Sequence, residues 1–543
     1  MKTPNHFSKI NVLLISCFGF INAIFCQQTF HKAYATPYDC RLVYSQETPE
    51  GNIISAGNSL PGNTIIPPYT LPGIRERICL LKTDGDGDTL WTKTYGGMDH
   101  YRCNTMQQTS DNGFIVGGRV VDSIIGDSKF VLLKTDPNGN MQWSKTYNSM
   151  DNNEELFAVK QTTTGDYVMA GNGFVGKVDG SGNLLWAKDL RDPAVNLRIR
   201  SLDNTSDGGI ILGGSLDTLG KPSYAYLIKM NGAGNIIWSK TYNSIYNQYD
   251  EGNSVSQTSD KGFILTGTTY YPVGPNTAVN HIYLVKTDSL GNLVWTKKFA
   301  SGANDTGYDG KQTADGGYIV TGGSWGMVGN GLVTSNAVLI RTDAMGIVSW
   351  CKYYGIIVNS GEQPASVSLT NGGGYLVSGI TTDNMGYPDQ FYVLKTDGSG
   401  NTSCNGYSWP LHDSVYVSVV HNYNQPIINL TLTTANPVIN EKHLLCNTID
   451  ACTIGATGLQ DNKQPEPQVS IFPNPANDIL NIDMESLNEK SFIKIYNAIG
   501  AEVLTGSLPA HQSSLNISHL QSGIYFVKIT LGESMITKKI IKK

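Results

Sequence analysis

Residue types that carry out chemistry are present in this sequence, but their spacing matches no complete catalytic pattern. The nine histidines form no His-Glu-x-x-His run or other metal-ligand spacing. Gly322-Gly-Ser-Trp-Gly326 fits the nucleophile-elbow pattern, yet it ends a repeated strand whose sibling copies read Gly117-Gly-Arg119 and Gly213-Gly-Ser215. We therefore interpret this run as part of a repeated strand rather than as a serine nucleophile.

A second chemical candidate is Asp84-Gly-Asp-Gly-Asp88, which has the carboxylate spacing with which a calcium-binding loop begins. The bidentate acid that such a loop needs at its twelfth position is missing, because Tyr95 stands there. Equivalent runs elsewhere read Asp-x-x-Gly-Asn, which requires only a glycine in a left-handed conformation at a hairpin turn. The sequence therefore predicts turns here, and neither a metal nor a cofactor is expected.

Aromatic residues in long loops are the remaining candidates for ligand contact. Segments 58–77, 268–281, 324–337 and 380–390 occupy the same connection in different copies of a repeat, so they should lie on one face of the fold. Exposed aromatic side chains can stack on sugar rings or anchor a protein partner, although they can equally fold onto neighbouring blades. The candidate binding residues are Tyr69, Tyr270, Tyr271, Trp325 and Tyr387.

A repeated unit positions these loops. Its clearest part is a strand that ends in a turn and leads to an aromatic residue, as in Lys134-Thr-Asp-Pro-Asn-Gly-Asn-Met-Gln-Trp143. Tryptophan recurs at positions 91, 143, 186, 238, 295 and 350, with spacings that suit four-stranded propeller blades with loops of variable length. A second marker, a turn followed by a β-branched run, ends at Gly57, Gly118, Gly171, Gly214, Gly267, Gly323 and Gly379.

The two ends of the repeat array complete one another. The last turn, beginning at Lys395, places Cys404 where earlier copies have tryptophan. Near the N-terminus, Phe30-His-Lys-Ala-Tyr34 matches Trp143-Ser-Lys-Thr-Tyr147, so we expect Phe30 to fill the seventh aromatic position. An open array would leave two exposed sheet edges, which favours a closed seven-bladed ring over a solenoid.

A lysine lies in the middle of each aromatic strand, and alternation places it on the same face as the flanking aromatic residues. One interpretation is a ring of cationic ligand-binding residues. We favour a structural one, in which each stem packs between aromatics and each ammonium pairs with a turn aspartate, because a feature repeated in every blade usually belongs to the scaffold. The lysines are Lys32, Lys93, Lys145, Lys188, Lys240, Lys297 and Lys352, and the aspartates are Asp84, Asp136, Asp179, Asp288, Asp343 and Asp397.

The repeat, spanning roughly residues 30 to 404, resembles two families. Asp-x-x-Gly followed by Trp is similar to the tryptophan-docking motif of quinoprotein-type propellers, where the ring wedges between blades. The fuller unit, Gly-Gly-Tyr-Ile-Val-x-Gly with Lys-Thr-Asp-x-x-Gly-Asn-x-x-Trp, resembles propeller repeats of surface proteins of the Bacteroidetes type. Both resemblances imply an architecture and no particular activity.

Composition agrees with a repeat protein built from strands. A chain of 543 residues is too long for one ordinary core unless a repeat spreads that core along the sequence. It contains 59 glycines and 28 tyrosines, and only 15% of its residues are charged, which favours many strands and tight turns. The net charge of −6 and the scattered Lys and Arg residues argue against nucleic acid as a partner.

The N-terminus has the layout of a secretory signal peptide. Lys2 and Lys9 precede an apolar stretch over 10–26, which is too short and too early for a membrane span. Phe25 is bulky where lipidation of Cys26 would need a small residue, so cleavage is favoured over acylation. The mature chain is expected to have no transmembrane span.

Cleavage at this point would leave an odd number of cysteines, which cannot all pair within one chain. Cys446 and Cys452 are the closest pair, and both a disulfide and free thiols remain open for them. Their spacing matches no metal knuckle. The remaining cysteines are Cys40, Cys79, Cys103, Cys351 and Cys404.

The repeat pattern breaks after Cys404, although 414–420 and 427–432 still have strand character. Residues 455–468 are typical of a linker, being rich in Gly, Gln and Pro. A compact β unit then begins at Val469.

This last unit contains four short motifs whose alternation predicts a small sandwich: Val469-Ser-Ile-Phe-Pro-Asn-Pro-Ala476, Ile493-Lys-Ile-Tyr-Asn-Ala-Ile-Gly500, Ser522-Gly-Ile-Tyr-Phe-Val-Lys-Ile529 and Lys538-Lys-Ile-Ile-Lys-Lys543. In this order at the end of a chain, they resemble the type A sorting domain of the type IX secretion system. The resemblance implies passage through a periplasm, recognition by outer-membrane machinery, and removal on release or surface attachment. It implies a sorting signal at Pro473, Asn474, Pro475, Gly523, Tyr525, Lys538 and Lys539.

Together these observations predict an all-β chain. It has a signal peptide at 1–26, a seven-bladed β-propeller of four-stranded blades at 27–404, a partly β connector and linker at 405–468, and a small Ig-like β-sandwich sorting domain at 469–543. We expect a non-enzymatic protein, secreted or held at the outer-membrane surface, whose partners are the type IX machinery and an unidentified glycan or protein ligand. The alternative is an extracellular polymer-acting or quinoprotein-like enzyme with its site in the central channel.

Overall fold

The computed structural model describes most of the repeat region and most of the C-terminal unit. The described residues are 29–35, 39–60, 75–148, 154–192, 195–218, 223–244, 249–274, 277–301, 304–328, 332–354, 360–383, 390–402, 407–408, 412–415, 418–422, 428–429, 433–435, 440–443, 447–450, 469–484, 491–497, 502–508, 512–531 and 534–543. The predicted signal peptide, Cys404, Cys446 and Cys452 lie outside them. The chain divides into two compact units, Met1–Ala456 and Thr457–Lys543.

The first unit begins with β1 (Phe30–Ala35) and continues through blades of four antiparallel strands, numbered from the innermost strand outwards. Blades 1 to 3 comprise β2 (Asp39–Glu47), β3 (Ile53–Leu60), β4 (Arg77–Thr83), β5 (Thr89–Gly96), β6 (His100–Gln108), β7 (Phe114–Val121), β8 (Ser128–Thr135), β9 (Met141–Asn148), β10 (Leu156–Gln161), β11 (Tyr167–Gly171), β12 (Phe174–Val178) and β13 (Leu184–Asp189).

Blades 4 to 6 repeat this arrangement, and blade 7 is completed by β1. Their strands are β14 (Val195–Asn204), β15 (Ile210–Thr218), β16 (Ser223–Met230), β17 (Ile236–Ser244), β18 (Asp250–Gln257), β19 (Phe263–Gly274), β20 (Thr277–Thr287), β21 (Leu293–Ala300), β22 (Asn304–Gln312), β23 (Tyr318–Val328), β24 (Leu332–Thr342), β25 (Val348–Tyr354), β26 (Ser360–Leu369), β27 (Tyr375–Asp383) and β28 (Gln390–Thr396).

Ring closure by the N-terminal strand is confirmed. Strand β1 pairs antiparallel with β28, and Phe30 lies opposite Lys395. The other blades use the same register, for example Trp143 opposite Lys134. Closure also forms an ion pair between Lys395 Nζ and Glu47 Oε1 at 2.8 Å, and both side chains are only 6% exposed. Blade 7 is therefore joined to blade 1 by the seventh aromatic strand that the sequence predicted.

The hydrophobic core is divided among the junctions between blades. Each junction has its own cluster of buried residues, because a four-stranded sheet must cover both of its faces against its neighbours. The cluster that joins blade 7 to blade 1 contains Phe30, Tyr34, Leu42 and Phe391. The seven junctions together make the ring a closed propeller.

The outer strand of each blade is anchored on a turn of the next blade. Gly139 has a φ of 76°, and a Cβ built there would lie 2.8 Å from the ring of Trp91, so the turn needs glycine for both reasons. The Tyr95 hydroxyl donates to the Gly139 carbonyl at 2.5 Å, and Lys93 Nζ donates to Asn140 Oδ1 at 2.7 Å. The motif Trp-x-Lys-x-Tyr therefore holds adjacent blades together.

Four further junctions repeat these bonds, which supports the structural interpretation of the lysines. Their acceptor, however, is not the predicted turn aspartate. Asp136, for example, accepts from its own turn at Asn138 N and Asn140 N, so the residue four positions later faces the lysine instead. The recurring lysine bonds are Lys32 to Asp88, Lys145 to Asn183, Lys240 to Asn292 and Lys352 to Asn401.

A bulge in the innermost strand explains why a glycine recurs in the second strand of every blade. In blade 2 the register of β6 against β7 shifts between Cys103 and Thr105, and Gly118 lies opposite the shift. A Cβ on Gly118 would overlap the carbonyl oxygen of Arg102. All seven innermost strands carry this bulge at the equivalent place, so each second strand requires glycine there, and in blade 6 this glycine is Gly322 rather than Gly323.

The region predicted as a connector supplies a fifth strand to every blade. Seven short strands pair antiparallel with the seven outer strands in the reverse of blade order, beginning at blade 6 and ending on β1. We call these strands the belt. They are β29 (Tyr407–Ser408), β30 (His412–Val415), β31 (Ser418–Asn422), β32 (Ile428–Asn429), β33 (Thr433–Ala435), β34 (Asn440–His443) and β35 (Asn447–Asp450).

The second unit is a small sandwich of two antiparallel sheets. One sheet has the order β36-β37-β40 and the other β39-β38-β41-β42. Their facing sides bury a common core that includes Leu480, Ile495 and Val527. The strands are β36 (Val469–Phe472), β37 (Ile479–Met484), β38 (Ser491–Asn497), β39 (Glu502–Leu508), β40 (Gln512–Asn516), β41 (Gly523–Leu531) and β42 (Ser534–Lys542).

Candidate binding site on blades 5 and 6

One face of the ring carries the connections that vary in length. In an antiparallel four-stranded blade, the connection between the second and third strands lies on the same side as the connection to the next blade. The turns that contain the aspartates and glycines lie on the opposite side. We call the first side the variable face.

Blades 5 and 6 extend furthest on the variable face. The second and third strands of blade 5 have 12 and 11 residues, whereas those of blade 3 have 5 each. Blade 6 has 11 in both strands. The sequence-based prediction of loops over 268–281 and 324–337 is therefore wrong for most of these residues, because continuous cross-strand pairing extends each hairpin.

Two of the predicted aromatic residues occupy the same position in adjacent blades. Tyr270 and Trp325 each lie three residues after the glycine that faces the bulge, Gly267 and Gly322 respectively. At this position blade 3 has Phe174, which is buried against Phe130 with ring centroids 4.5 Å apart. The other blades have Leu60, Val121, Asp217 and Thr382 there.

The aromatic side chains on blades 5 and 6 are accessible from the variable face. Tyr249, which precedes blade 5, is 54% exposed and meets Tyr270 edge to face with centroids 5.7 Å apart. The Tyr270 N–H donates to the Tyr249 carbonyl at 2.9 Å, which fixes the pair. Trp325 is 39% exposed.

Two asparagines connect the aromatic residues across the blade junction. Tyr270 lies opposite Asn280, whose N–H donates to Asn304 Oδ1 at 3.1 Å, and Asn304 lies opposite Trp325. Trp325 projects towards blade 7, because a Cβ built on Gly323, which shares its sheet face, would lie 3.5 Å from Trp325 Nε1 and 3.9 Å from Pro364 Cδ. We call Tyr249, Tyr270, Asn280, Asn304 and Trp325 the aromatic sector.

Charged groups lie on the channel side of the aromatic sector. Burial raises the pKa of Tyr270, Glu251 raises it further, and Arg200 opposes this effect. Arg200 Nη2 lies 3.9 Å from Glu251 Oε2. A ligand lying on the aromatic sector would therefore meet stacking surfaces, amide groups and both signs of charge.

The other predicted contacts are not brought into this sector by the described residues. Tyr69 and Tyr387 lie outside them. Tyr271 pairs through its backbone with Val279, and its side chain also lies outside the described part. Sequence reasoning missed Tyr249, Asn280 and Asn304, and only the hairpin register, which is not visible in the repeat markers, could have identified the asparagines.

A buried polar cluster beneath Trp325 contains no activated nucleophile. The Asp305 carboxylate, 2% exposed, accepts from Ser301 N at 2.7 Å and from Ser301 Oγ at 2.6 Å. Burial, with a smaller contribution from Asp305, raises the pKa of Cys351 to about 12, so this thiol stays protonated at neutral pH. The cluster therefore serves the packing of blade 6.

The central channel forms a cavity of about 240 Å³ lined by the innermost strands of all seven blades. Its lining carboxylates, Asp203 and Asp309, both accept from the backbone of the next blade: Asp203 from Gln257 N at 3.0 Å and Asp309 from Val367 N at 3.1 Å. A glycosidase would need two carboxyl groups free to act as acid and base or nucleophile. The channel acids are instead engaged by the scaffold.

The part of the chain that the structure describes contains no group of three His, Cys, Asp or Glu side chains placed to hold a metal ion. It also contains no helix with the length and apolarity that a membrane crossing requires.

The four motifs of the C-terminal unit meet in one sandwich. Asn474 Oδ1 accepts from Ile541 N at 2.8 Å, and Asn474 Nδ2 donates to the Lys539 carbonyl at 3.0 Å, so the first motif is bonded to the last. Tyr525 is buried and its hydroxyl donates to the Gln521 carbonyl at 2.8 Å. The remaining predicted sorting residues flank these contacts: Pro473, Pro475, Gly523 and the exposed Lys538.

Comparison with known proteins identifies this unit. Residues 470–543 match the family described as the secretion system C-terminal sorting domain. No curated protein matches the chain.

Similarities to solved structures are weak. A mannose phosphorylase from Leishmania mexicana is 9% identical, with a TM-score of 0.28 over 57% of this chain and 87% of that one. A xylan β-1,4-xylosidase from Bacillus halodurans is 10% identical, with a TM-score of 0.27 over 80% of this chain and 87% of that one. These scores support no inference about this chain. The matched sorting domain and the repeated four-stranded sheets instead establish a propeller repeat protein that the type IX secretion system exports to the cell surface or the surrounding medium.

Proposed function

We propose that this protein binds a carbohydrate chain outside the cell through the aromatic sector on blades 5 and 6. The observation that carries the proposal is the exposure of Tyr249, which meets Tyr270 of the extended blade 5 hairpin edge to face, and of Trp325 on the extended hairpin of blade 6. Aromatic faces stack on sugar rings, and the asparagines between them supply amide groups that can hydrogen-bond hydroxyls. A flexible protein partner is the competing ligand class.

Delivery forms the second part of the proposal. A signal peptide over 1–26 takes the chain to the periplasm of a bacterium of the Bacteroidetes type, and the sandwich is then recognised by the type IX machinery. The ring, the belt and the sandwich have separate tasks in this scheme: ligand binding, edge protection and export. The mature chain binds no nucleic acid.

The proposal can be tested by glycan-array and titration measurements on the mature chain with Trp325→Ala and Tyr249→Ala. Losing one stacking contact should weaken binding about tenfold, equivalent to ~1.4 kcal/mol. Leu290→Ala is the matched control, because Leu290 is 63% exposed but lies on a turn of the opposite face.

Three results would count against the proposal. If both aromatic variants bind glycans as tightly as the control, the ligand does not use this sector. If no glycan binds but a captured protein partner depends on Trp325, the sector is a protein-binding surface. Detectable hydrolysis of a polymer that survives both substitutions would favour the enzyme alternative.

A further inference from the structure

On most innermost strands, one polar side chain bonds to the backbone of the next blade, but on three strands the equivalent side chain does not. Each innermost strand presents an unpaired backbone edge to the central channel, and side chains of the preceding blade satisfy parts of that edge. We define the bridging position as the third residue after each bulge. Its occupants are Gln46, Gln107, Lys160, Asp203, Ser256, Lys311 and Ser368.

Four of these residues bond to the backbone of the next blade. Gln107 Oε1 accepts from Gln161 N at 2.7 Å, and Gln46 and Asp203 accept from equivalent N–H groups at 3.2 and 3.0 Å. Ser368 Oγ donates to the Ser45 carbonyl at 3.0 Å. The scaffold therefore explains the presence of polar residues at these four positions.

It does not explain the other three. An ammonium has no acceptor, so Lys160 and Lys311 cannot receive a bond from a neighbouring N–H. The Lys160 ammonium forms no ion pair or hydrogen bond with any described residue. Ser256 Oγ is buried, with no hydrogen-bond partner in the described part of the chain.

A third donor in the same cavity is also unsatisfied. Arg200, at the bulge of blade 4, lines the channel, and its buried Nε has no partner among the described residues. The unsatisfied groups at Lys160, Ser256 and Arg200 can all donate a hydrogen bond. A ligand that completes them must therefore supply acceptors.

The acidic residues of the channel do not neutralise these groups. Asp309 already accepts from Val367 N, from Gly310 N at 2.9 Å and from the Ser254 hydroxyl, and it pairs with Lys311 Nζ at 2.6 Å. Burial lowers the pKa of Lys311, but Asp309, with Tyr44 and Asp203, more than compensates, so the lysine stays charged. The cavity lining thus holds the cations Lys160, Arg200 and Lys311 and the anions Asp203 and Asp309, and Arg200 also pairs through Nη2 with Glu251, outside the lining, at 3.9 Å.

We propose that the central channel binds a small oxyanion, held by the ammonium groups of Lys160 and Lys311 and by hydrogen bonds from Ser256 and Arg200. The cavity is large enough for a small organic acid and is formed by every blade, so a bound anion would also bridge the ring. This site shares Arg200 with the charged groups beside the aromatic sector, but it uses none of the sector's five residues. Its existence does not depend on carbohydrate binding.

Thermal unfolding and isothermal titration of the mature chain test the site directly. Citrate, phosphate and sulfate are compared with chloride at equal ionic strength, which separates carboxylate from phosphate-type ligands. The wild type should gain roughly 3 °C or more in its unfolding midpoint at saturation with at least one oxyanion. Lys160→Met should weaken that binding at least tenfold.

Controls distinguish a site from a general salt effect. Lys160 has no partner to lose, so Lys160→Met should fold normally without ligand. Lys145 lies on the outer strand β9, and its ammonium donates to Asn183 in a turn of the next blade. Lys145→Met should therefore leave anion binding unchanged. Equal stabilisation of the wild type and Lys160→Met by every oxyanion, or heats of titration no different from chloride, would overturn the proposal.

Discussion

The inner and outer edges of the blades solve one physical problem in different ways. Each edge exposes N–H and C=O groups that would otherwise pair with another chain. Side chains of the preceding blade cover parts of the inner edge, as Gln107 does for Gln161, whereas the main chain of the belt covers the outer edge. Inner protection therefore depends on residue identity. Protection of the outer edge depends on the backbone of the belt. A single substitution can therefore change the chemistry of the inner edge but not the cover of the outer edge.

Removal of the belt should have the largest effect, because it exposes seven outer edges at once. A mature chain ending at residue 404 is expected to self-associate, whereas one ending at residue 456 should remain monomeric. Size-exclusion chromatography with light scattering measures this. A monodisperse monomer from the shorter chain would show that the outer edges need no cover.

Phe30→Ala should weaken the outer strand of blade 7, since β1 pairs with β28 on one side and with the belt strand β35 on the other. Phe30 is 5% exposed, and removing a buried aromatic ring lowers the free energy of unfolding by about 3–5 kcal/mol. Chemical denaturation measures the loss. Leu185→Ala, at a residue 52% exposed on β13, serves as the control, and equal stability of the two variants would contradict ring closure through Phe30.

Asp309→Asn breaks the inner edge at its most connected residue. The amide retains an acceptor for Val367 N but leaves Lys311 without its carboxylate. Because the Lys311 side chain is 28% exposed, solvent limits the cost, and we expect about 1–3 kcal/mol of lost unfolding free energy. Restoration of that stability by the double variant Asp309→Asn with Lys311→Met would assign the cost to the unpaired ammonium. No change in the single variant would show that the pair is not part of the edge.

The smallest effect is expected from Tyr147→Phe, which removes one hydroxyl bond to Gly182 but keeps the ring. The expected loss is about 1 kcal/mol, measured by denaturation. Phe299 already fills the equivalent place in blade 5, so a phenylalanine fits the packing. A loss above about 3 kcal/mol would indicate that the hydroxyl bond holds more than one junction.

Local pattern was sufficient to predict the ring. Spacing of the tryptophans, together with Phe30 near the N-terminus, predicted blade number and closure, because strand alternation and turn glycines are visible in any one repeat. The lysine partners were predicted four residues before the correct acceptors, since Asp136 accepts from the backbone of its own turn and Asn140 faces the lysine.

The belt and the aromatic sector depend on long-range pairing, and sequence reasoning found them only in part. Belt strands such as β32, with two residues, are too short for a periodicity to be seen. Tyr270 and Trp325 were identified as aromatic loop residues, but their equivalence follows from the bulge register. Lys160 and Lys311 differ from the equivalent residues of other blades, which bond to the backbone of the next blade, and the sequence alone does not show those bonds.

The ion pair between Glu47 and Lys395 also sets a schedule. Its partners are separated by 348 residues, so at typical synthesis rates the first must wait on the order of 20–70 seconds for the second. During that interval strand β1 has no strand to pair with, and the aromatic ring of Phe30 stays in water. The time needed to close the ring, rather than the strength of any one contact, then determines how long the nascent chain must be kept from associating with other chains.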